Sequence, residues 1–182
     1  MLKRIKRNKA CMRFLAWMLV CMMIVPTNTS LALNAVAAET THMLDIAQMA
    51  DYVGTTFENG KEYAVTDNSY FTFIGEAKLA IQESSKTFTN ADGSTFEATY
   101  RFNPGGGGSI SKRAIKFTTA DVAKVTVYWA SGGDGRQMYL LDAEGNTSAV
   151  TAGESVKNEV YTSTLELSTA GTYYLCGKDG TN

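Results

Sequence analysis

Histidine and cysteine are scarce in this chain, and its plentiful carboxylates fall mostly in turns or at outward positions on strands. There is one histidine, His42, and Cys176 is the one cysteine after residue 38. No Ser-His-Asp or Cys-His arrangement and no histidine cluster for zinc can be assembled from that set. The glycine run Gly105–Gly108 is followed by Ser109-Ile110-Ser111-Lys112 instead of the Gly-Lys-Ser of a phosphate loop. Asp142, Glu144 and Asn146 have the alternate spacing of an oxygen-ligand calcium loop, as do Asn90, Asp92 and Ser94. Neither stretch has the later bidentate Glu, so ordinary Asx-turn chemistry is the favoured reading over calcium, and no other cofactor is expected. No active site is assigned to this segment.

One feature with chemical content remains, a local excess of positive charge. Arg101, Lys112, Arg113, Lys116, Lys124 and Arg136 stand against Asp121 and Asp134 between residues 101 and 136, a net charge of +4. A solvated face is one explanation. The functional one is an anion site, in which guanidinium forks grip carboxylates and lysines add point charges. Aromatic residues interleave with these cations. Tyr128 falls on the strand face opposite Trp129, which makes Tyr128 the candidate for stacking on a sugar ring and Trp129 a core residue. Tyr139 is ambiguous, since Met138 and Leu140 compete with Tyr139 and Leu141 for the inward face.

The elements that would hold these residues have a period of two, which means strands. In Thr95–Phe102, Phe96, Ala98, Tyr100 and Phe102 share one face. Arg113–Thr118 places Ile115 and Phe117 inward, and Val122–Ala130 places Val125, Val127 and Trp129 inward. Further strands are expected at 70–74, 77–82, 136–142, 160–167 and 172–176, separated by Gly-, Asn- and Asp-containing turns. A short helix is expected over Leu44–Tyr52. The pattern predicts an all-β fold, an antiparallel β-sandwich of jelly-roll type. After Cys176, Gly177–Asn182 reads as a turn with no strand behind it, so one closing strand is expected to be missing.

GGGGS at 105–109 is the sequence of an engineered linker, yet the same strand period runs on both sides of it. It is therefore expected to be a native loop that either turns the chain or forms the rim of an anionic-sugar site, with Gly106 and Gly107 letting backbone N–H groups approach a ligand.

Composition bounds the rest. The 182 residues suffice for one ordinary domain once the first 38 are set aside. Those 38 read as a cleaved signal peptide: a front of six Lys and Arg, the twelve-residue apolar run Phe14–Val25, and small residues ending Ala37-Ala38. Twelve apolar residues reach about 18 Å, too short for a membrane core of roughly 30 Å. The chain beyond keeps 11 of the 17 Lys and Arg and all 18 Asp and Glu, a net charge of −7. That charge argues against nucleic-acid or anionic-membrane binding. A lone Cys176 forms no internal disulfide and is expected to be a small core hydrophobe. The expected organisation is signal peptide 1–38, an N-terminal segment 39–67 with a short helix and first strand, and a β-sandwich module 68–182.

The runs ATYRFNPGGGG, KRAIKFTTADVAKVTVYWASGGDGRQMYLLDAEGN and YTSTLELSTAGTYYL, in that order, resemble a β-sandwich accessory module of secreted bacterial pectate lyases and pectin esterases. The resemblance covers most of 68–182. It implies a non-catalytic, extracellular module that binds or presents carbohydrate, with an acidic polysaccharide such as pectin as partner. Arg101, Lys116, Tyr128, Arg136, Gly106 and Gly107 are the residues proposed to meet that ligand. A structural or adhesive spacer is the alternative, and it predicts that Arg101, Lys116 and Arg136 lie on separate faces. A third reading is the N-terminal part of a pectate lyase whose catalytic domain lies downstream.

Overall fold

The computed structural model describes residues 40–152 and 155–177. The signal-peptide, cleavage-site and closing-strand expectations fall outside those residues. Among the described residues the fold is antiparallel β-structure with one short helix, in agreement with the all-β expectation.

Ten strands follow a 3₁₀ helix at Ile46–Tyr52: β1 Glu62–Val65, β2 Asn68–Ile74, β3 Ala80–Thr89, β4 Thr95–Asn103, β5 Ala114–Thr119, β6 Ala123–Ala130, β7 Met138–Leu141, β8 Thr147–Val150, β9 Val160–Leu167 and β10 Gly171–Gly177. Six of them form one sheet in the order β1-β2-β5-β10-β7-β8, while β3-β4 and β6-β9 form two-stranded ladders. The helix begins at Asp45, whose Oδ1 accepts the Ala47 N–H at 2.9 Å, the usual cap for an otherwise orphaned first-turn donor.

One core joins these parts. Phe73, Ile115, Phe117, Leu140, Tyr173 and Leu175 from the six-stranded sheet meet Ile81 from β3, Val127 from β6 and Leu165 and Leu167 from β9. Met49 of the helix and Phe57 enter the same cluster. Alternation explains the choice: in β5, Ile115 and Phe117 are buried while Thr118 between Phe117 and Thr119 is exposed. Each fully buried side chain such as Phe73 or Leu140 contributes about 1.5–3 kcal/mol.

The structure also settles β7. Leu140 is fully buried in the main core, whereas Tyr139 and Leu141 pack on the other side of the sheet with Ile74, Ala114, Cys176 and Tyr174. Cys176, 2% exposed, is the small core hydrophobe expected of it.

The largest differences from expectation concern β3 and a short edge strand. β3 begins at Ala80 instead of Ala77, because Glu76 closes a turn in which Leu79 N–H donates to Glu76 O at 2.9 Å and Lys78 N–H to Glu76 Oε2 at 2.8 Å. It then continues to Thr89 through Glu83-Ser84-Ser85-Lys86, a polar stretch held in the ladder by pairing with β4 across a bulge between Glu83 and Lys86. Finally, the four-residue strand β8, at one end of the large sheet, has too little apolar alternation to announce itself, whereas β1, at the other end, lies in the 39–67 segment where a first strand is expected.

Candidate functional site

The glycine loop proves to be a packed element. Gly107 and Gly108 are buried, and Gly108 N–H donates to Gly177 O at 3.1 Å. A methyl group at Gly108 would sit 2.5 Å from both Arg113 O and Cys176 Cβ. Gly105 adopts φ +64°, and a Cβ added there would collide with the Lys78 backbone carbonyl. The loop thus covers the second cluster around Cys176. Its hold is Arg113, which sends Nε to Glu76 Oε2 at 2.6 Å and Nη1 to Gly107 O at 3.3 Å. Arg113 and the Lys78 N–H, both hydrogen-bonded to Glu76, hold its carboxyl below the usual carboxylate range.

Arg101 extends the same scaffold from the other side. Its Nε and Nη2 donate to Gln82 Oε1 at 3.2 and 2.8 Å, and Asn103 Nδ2 donates to that oxygen at 3.0 Å. Asn103 Oδ1 in turn accepts the Gly105 N–H at 3.1 Å. Arg101 therefore braces the entry into the glycine loop.

Lys116 lies on the outward side of β5, between the inward Ile115 and Phe117. Its Nζ meets Glu62 Oε1 on β1 at 2.7 Å, and this hydrogen-bonded partner raises the lysine above its ordinary value. Tyr174, the register partner of Lys116 on β10, stands beside it on the same outward face. Arg101 and Lys116 face away from the shared core on different sheets, so the structure does not gather them into one anion site.

Tyr128 and Arg136, by contrast, belong to one end of the β6–β9 ladder. Tyr128 is on the outward side of β6 as expected, and 38% exposed. The tip of the β3–β4 hairpin rests on this surface. Phe88 and Phe96 meet the Tyr128 ring edge-on with centroids 5.9 and 5.0 Å away. Tyr128 OH donates to Asn90 Oδ1 at 2.8 Å, and Thr162 Oγ1 donates to Thr89 O at 3.0 Å. Phe96, expected in the core, is accordingly 37% exposed at this tip, because its end of the hairpin has run past the central cluster. Trp129 turns inward but only half-buries, donating Nε1–H to Ser163 Oγ at 3.1 Å and stacking on Tyr161 at 4.8 Å.

Arg136 follows in the loop between β6 and β7. Its backbone N–H donates to Ser155 Oγ at 2.8 Å, and Ser155 Oγ lies 2.9 Å from Ser131 Oγ. Both serines are buried, and Ser131 Oγ also donates to Gly133 O. The guanidinium lies against Gly132 and Gly133, where a methyl group on Gly133 would come within 2.7 Å of Nε.

The calcium candidates are occupied by turn chemistry. Asp142 Oδ1 accepts the N–H groups of Glu144 and Asn146 at 3.0 and 2.8 Å, and Oδ2 accepts Asn146 Nδ2 at 3.1 Å. Burial raises the Asp142 carboxyl, but these donors outweigh it and leave the group below its ordinary value. Asp92 is lowered by the hydroxyl and backbone N–H of Ser94 in the same manner. Among the described residues no group of three or more His, Cys, Asp or Glu is placed to hold a metal ion, and no helix is long and apolar enough to cross a membrane.

Sequence reasoning placed Tyr128 and Arg136 on the candidate surface but missed Phe96, Asn90 and Tyr174. The Thr89–Thr95 turn flanked by Phe88 and Phe96 was the available signal, since a cross-strand aromatic pair at a hairpin tip has no core to enter unless another ladder lies beneath it. No protein-family model matches the chain, and no curated protein matches it.

Proposed function

We propose that the chain is a non-catalytic carbohydrate-binding module of a secreted polysaccharide-degrading protein, a β-sandwich that favours acidic plant polysaccharide such as pectin. The observation that carries this reading is the exposed aromatic pair Phe96–Tyr128, packed on Phe88 and fixed through the Tyr128 hydroxyl to Asn90. Rings locked before binding lose little conformational freedom when a sugar stacks on them. Carboxamide and hydroxyl groups at Asn90, Ser94 and Thr162 border the pair and suit a polyhydroxylated ligand better than an apolar one.

Calorimetry of the purified chain against polygalacturonate and a neutral glucan tests the proposal. Binding to at least one, weakened about tenfold or more by Tyr128→Ala and by Phe96→Ala with the thermal midpoint tracked, is the expected result. Absence of binding to both polymers removes the reading.

An extracellular spacer is the second reading. It is favoured by Arg101 and Lys116, which lie on different sheets and are each already engaged, by Gln82 and Glu62 respectively. On that reading the two variants bind as poorly as the parent chain.

A further inference from the structure

The geometry points to Arg136 as a preformed carboxylate subsite, taking the uronate group of an acidic sugar; this rests on the glycan-binding reading above. Three arginines lie among the described residues, and two are spent. Arg101 is held by Gln82, and Arg113 by Glu76 and Gly107. Among the described residues, Arg136 Nε is buried without a hydrogen-bond partner. None of the ion pairs among the described residues involves Arg136.

A buried donor without an acceptor is a cost that a fold carries only where something else requires it. Here the fold also fixes the backbone at the base of the side chain. The Gly135 N–H donates to Ser155 O at 2.7 Å and the Arg136 N–H to Ser155 Oγ, so both residues preceding the guanidinium's own stem are fastened to the same segment. Gly132 and Gly133 are side-chain-free where the guanidinium lies, with methyl groups there falling 3.2 Å from Nη1 and 2.7 Å from Nε. The planar fork on this stem, half-buried against the two glycines, matches the two oxygens of a carboxylate, and its partial desolvation strengthens the pairing.

Its position suits the stacking surface. Gly133 is five residues beyond Tyr128, so the two are at most about 18 Å apart by the reach of an extended chain. Asn158, whose N–H donates to Ser131 O and whose carbonyl accepts Lys86 Nζ, ties the intervening surface to β3. On this proposal an oligosaccharide of a few units stacks at Tyr128 and presents a uronate to Arg136.

The test is an NMR titration of the full chain, following the Arg136 Nε–H resonance, assigned by its loss in Arg136→Gln, with sodium galacturonate and with its neutral methyl ester. The resonance is expected to shift with galacturonate and stay with the ester. Calorimetry should show Arg136→Gln weakening polygalacturonate binding at least tenfold, Arg136→Lys recovering little of it, and methyl-esterified polymer binding both variants like the parent. Lys61→Gln, which removes an exposed charge elsewhere, should leave polygalacturonate binding within about twofold. An unmoved Nε–H resonance, or parental polygalacturonate affinity in Arg136→Gln, overturns the subsite. If the resonance shifts but no polymer binds, the carboxylate subsite stands and the glycan-module reading falls.

Discussion

Arg113 Nε and Glu76 Oε2 are 2.6 Å apart, with the two side chains 12% and 15% exposed, and this pair joins the turn before β3 to the glycine loop before β5. Arg113 has φ +52°, a left-handed conformation that a non-glycine residue adopts only when its surroundings repay it. The repayment is visible: from that backbone the side chain reaches Glu76 and Gly107 O together. The pair acts as the clasp of the glycine loop.

Because the fold lowers the Glu76 carboxyl, its contribution to stability is fully present above the ordinary carboxylate range and is lost as pH falls through the lowered value. Glu76→Gln should destabilise the domain at neutral pH, and the gap to the parent should narrow between about pH 5 and pH 2. Urea midpoints across that range check it. A gap independent of pH would show that the carboxylate charge is not what Arg113 needs.

Gly108→Ala should lower stability by about 1–3 kcal/mol through overpacking against Arg113 O and Cys176 Cβ. The denaturation midpoint should fall with the slope unchanged. A freely moving linker would accept the methyl group without effect, so an unchanged midpoint would refute the packed loop.

At the hairpin tip, Phe88 is 6% exposed and supports both exposed rings. Phe88→Ala should cost about 3–5 kcal/mol, whereas Tyr128→Phe, which removes one hydrogen bond to Asn90, should cost about 0.5–1.5 kcal/mol. Thermal unfolding of the two variants ranks them, and the reverse order would mean that the polar latch, not the aromatic packing, anchors the tip.

Ser155→Ala strips the Arg136 N–H of its acceptor and Ser131 of a partner in a buried setting. The expected loss is about 1–3 kcal/mol. Hydrogen exchange at the Arg136 amide gives the local readout; unchanged protection there would contradict the clamp.

Since the Asp142 oxygens already receive the donors of their own turn, a chelator should leave the thermal midpoint of the chain unmoved. A drop on chelation, restored by calcium, would show that a metal competes with those donors.

Period-two alternation made most strands legible, and Val160–Leu167 matches its expected bounds because Tyr161, Leu165 and Leu167 share one face against the exposed Thr162, Thr164 and Glu166. It also assigned the faces of Tyr128, Trp129, Ile115 and Phe117, since that choice is local to each strand. Residues 83–89 were illegible as a strand because their conformation is imposed by β4, a partner that no local pattern announces. The sequence could likewise count cations between residues 101 and 136 but not assign their partners. That Arg101 is held by Gln82, Lys116 by Glu62 and Arg113 by Glu76 depends on residues 19, 54 and 37 positions away. Strand period and turn residues are properties of neighbours along the chain, and the sequence alone determined them. Pairing across sheets, the packing of Gly108 on Cys176 and the burial of an unmatched Arg136 Nε arise from contacts between distant segments, and only the tertiary structure decided those.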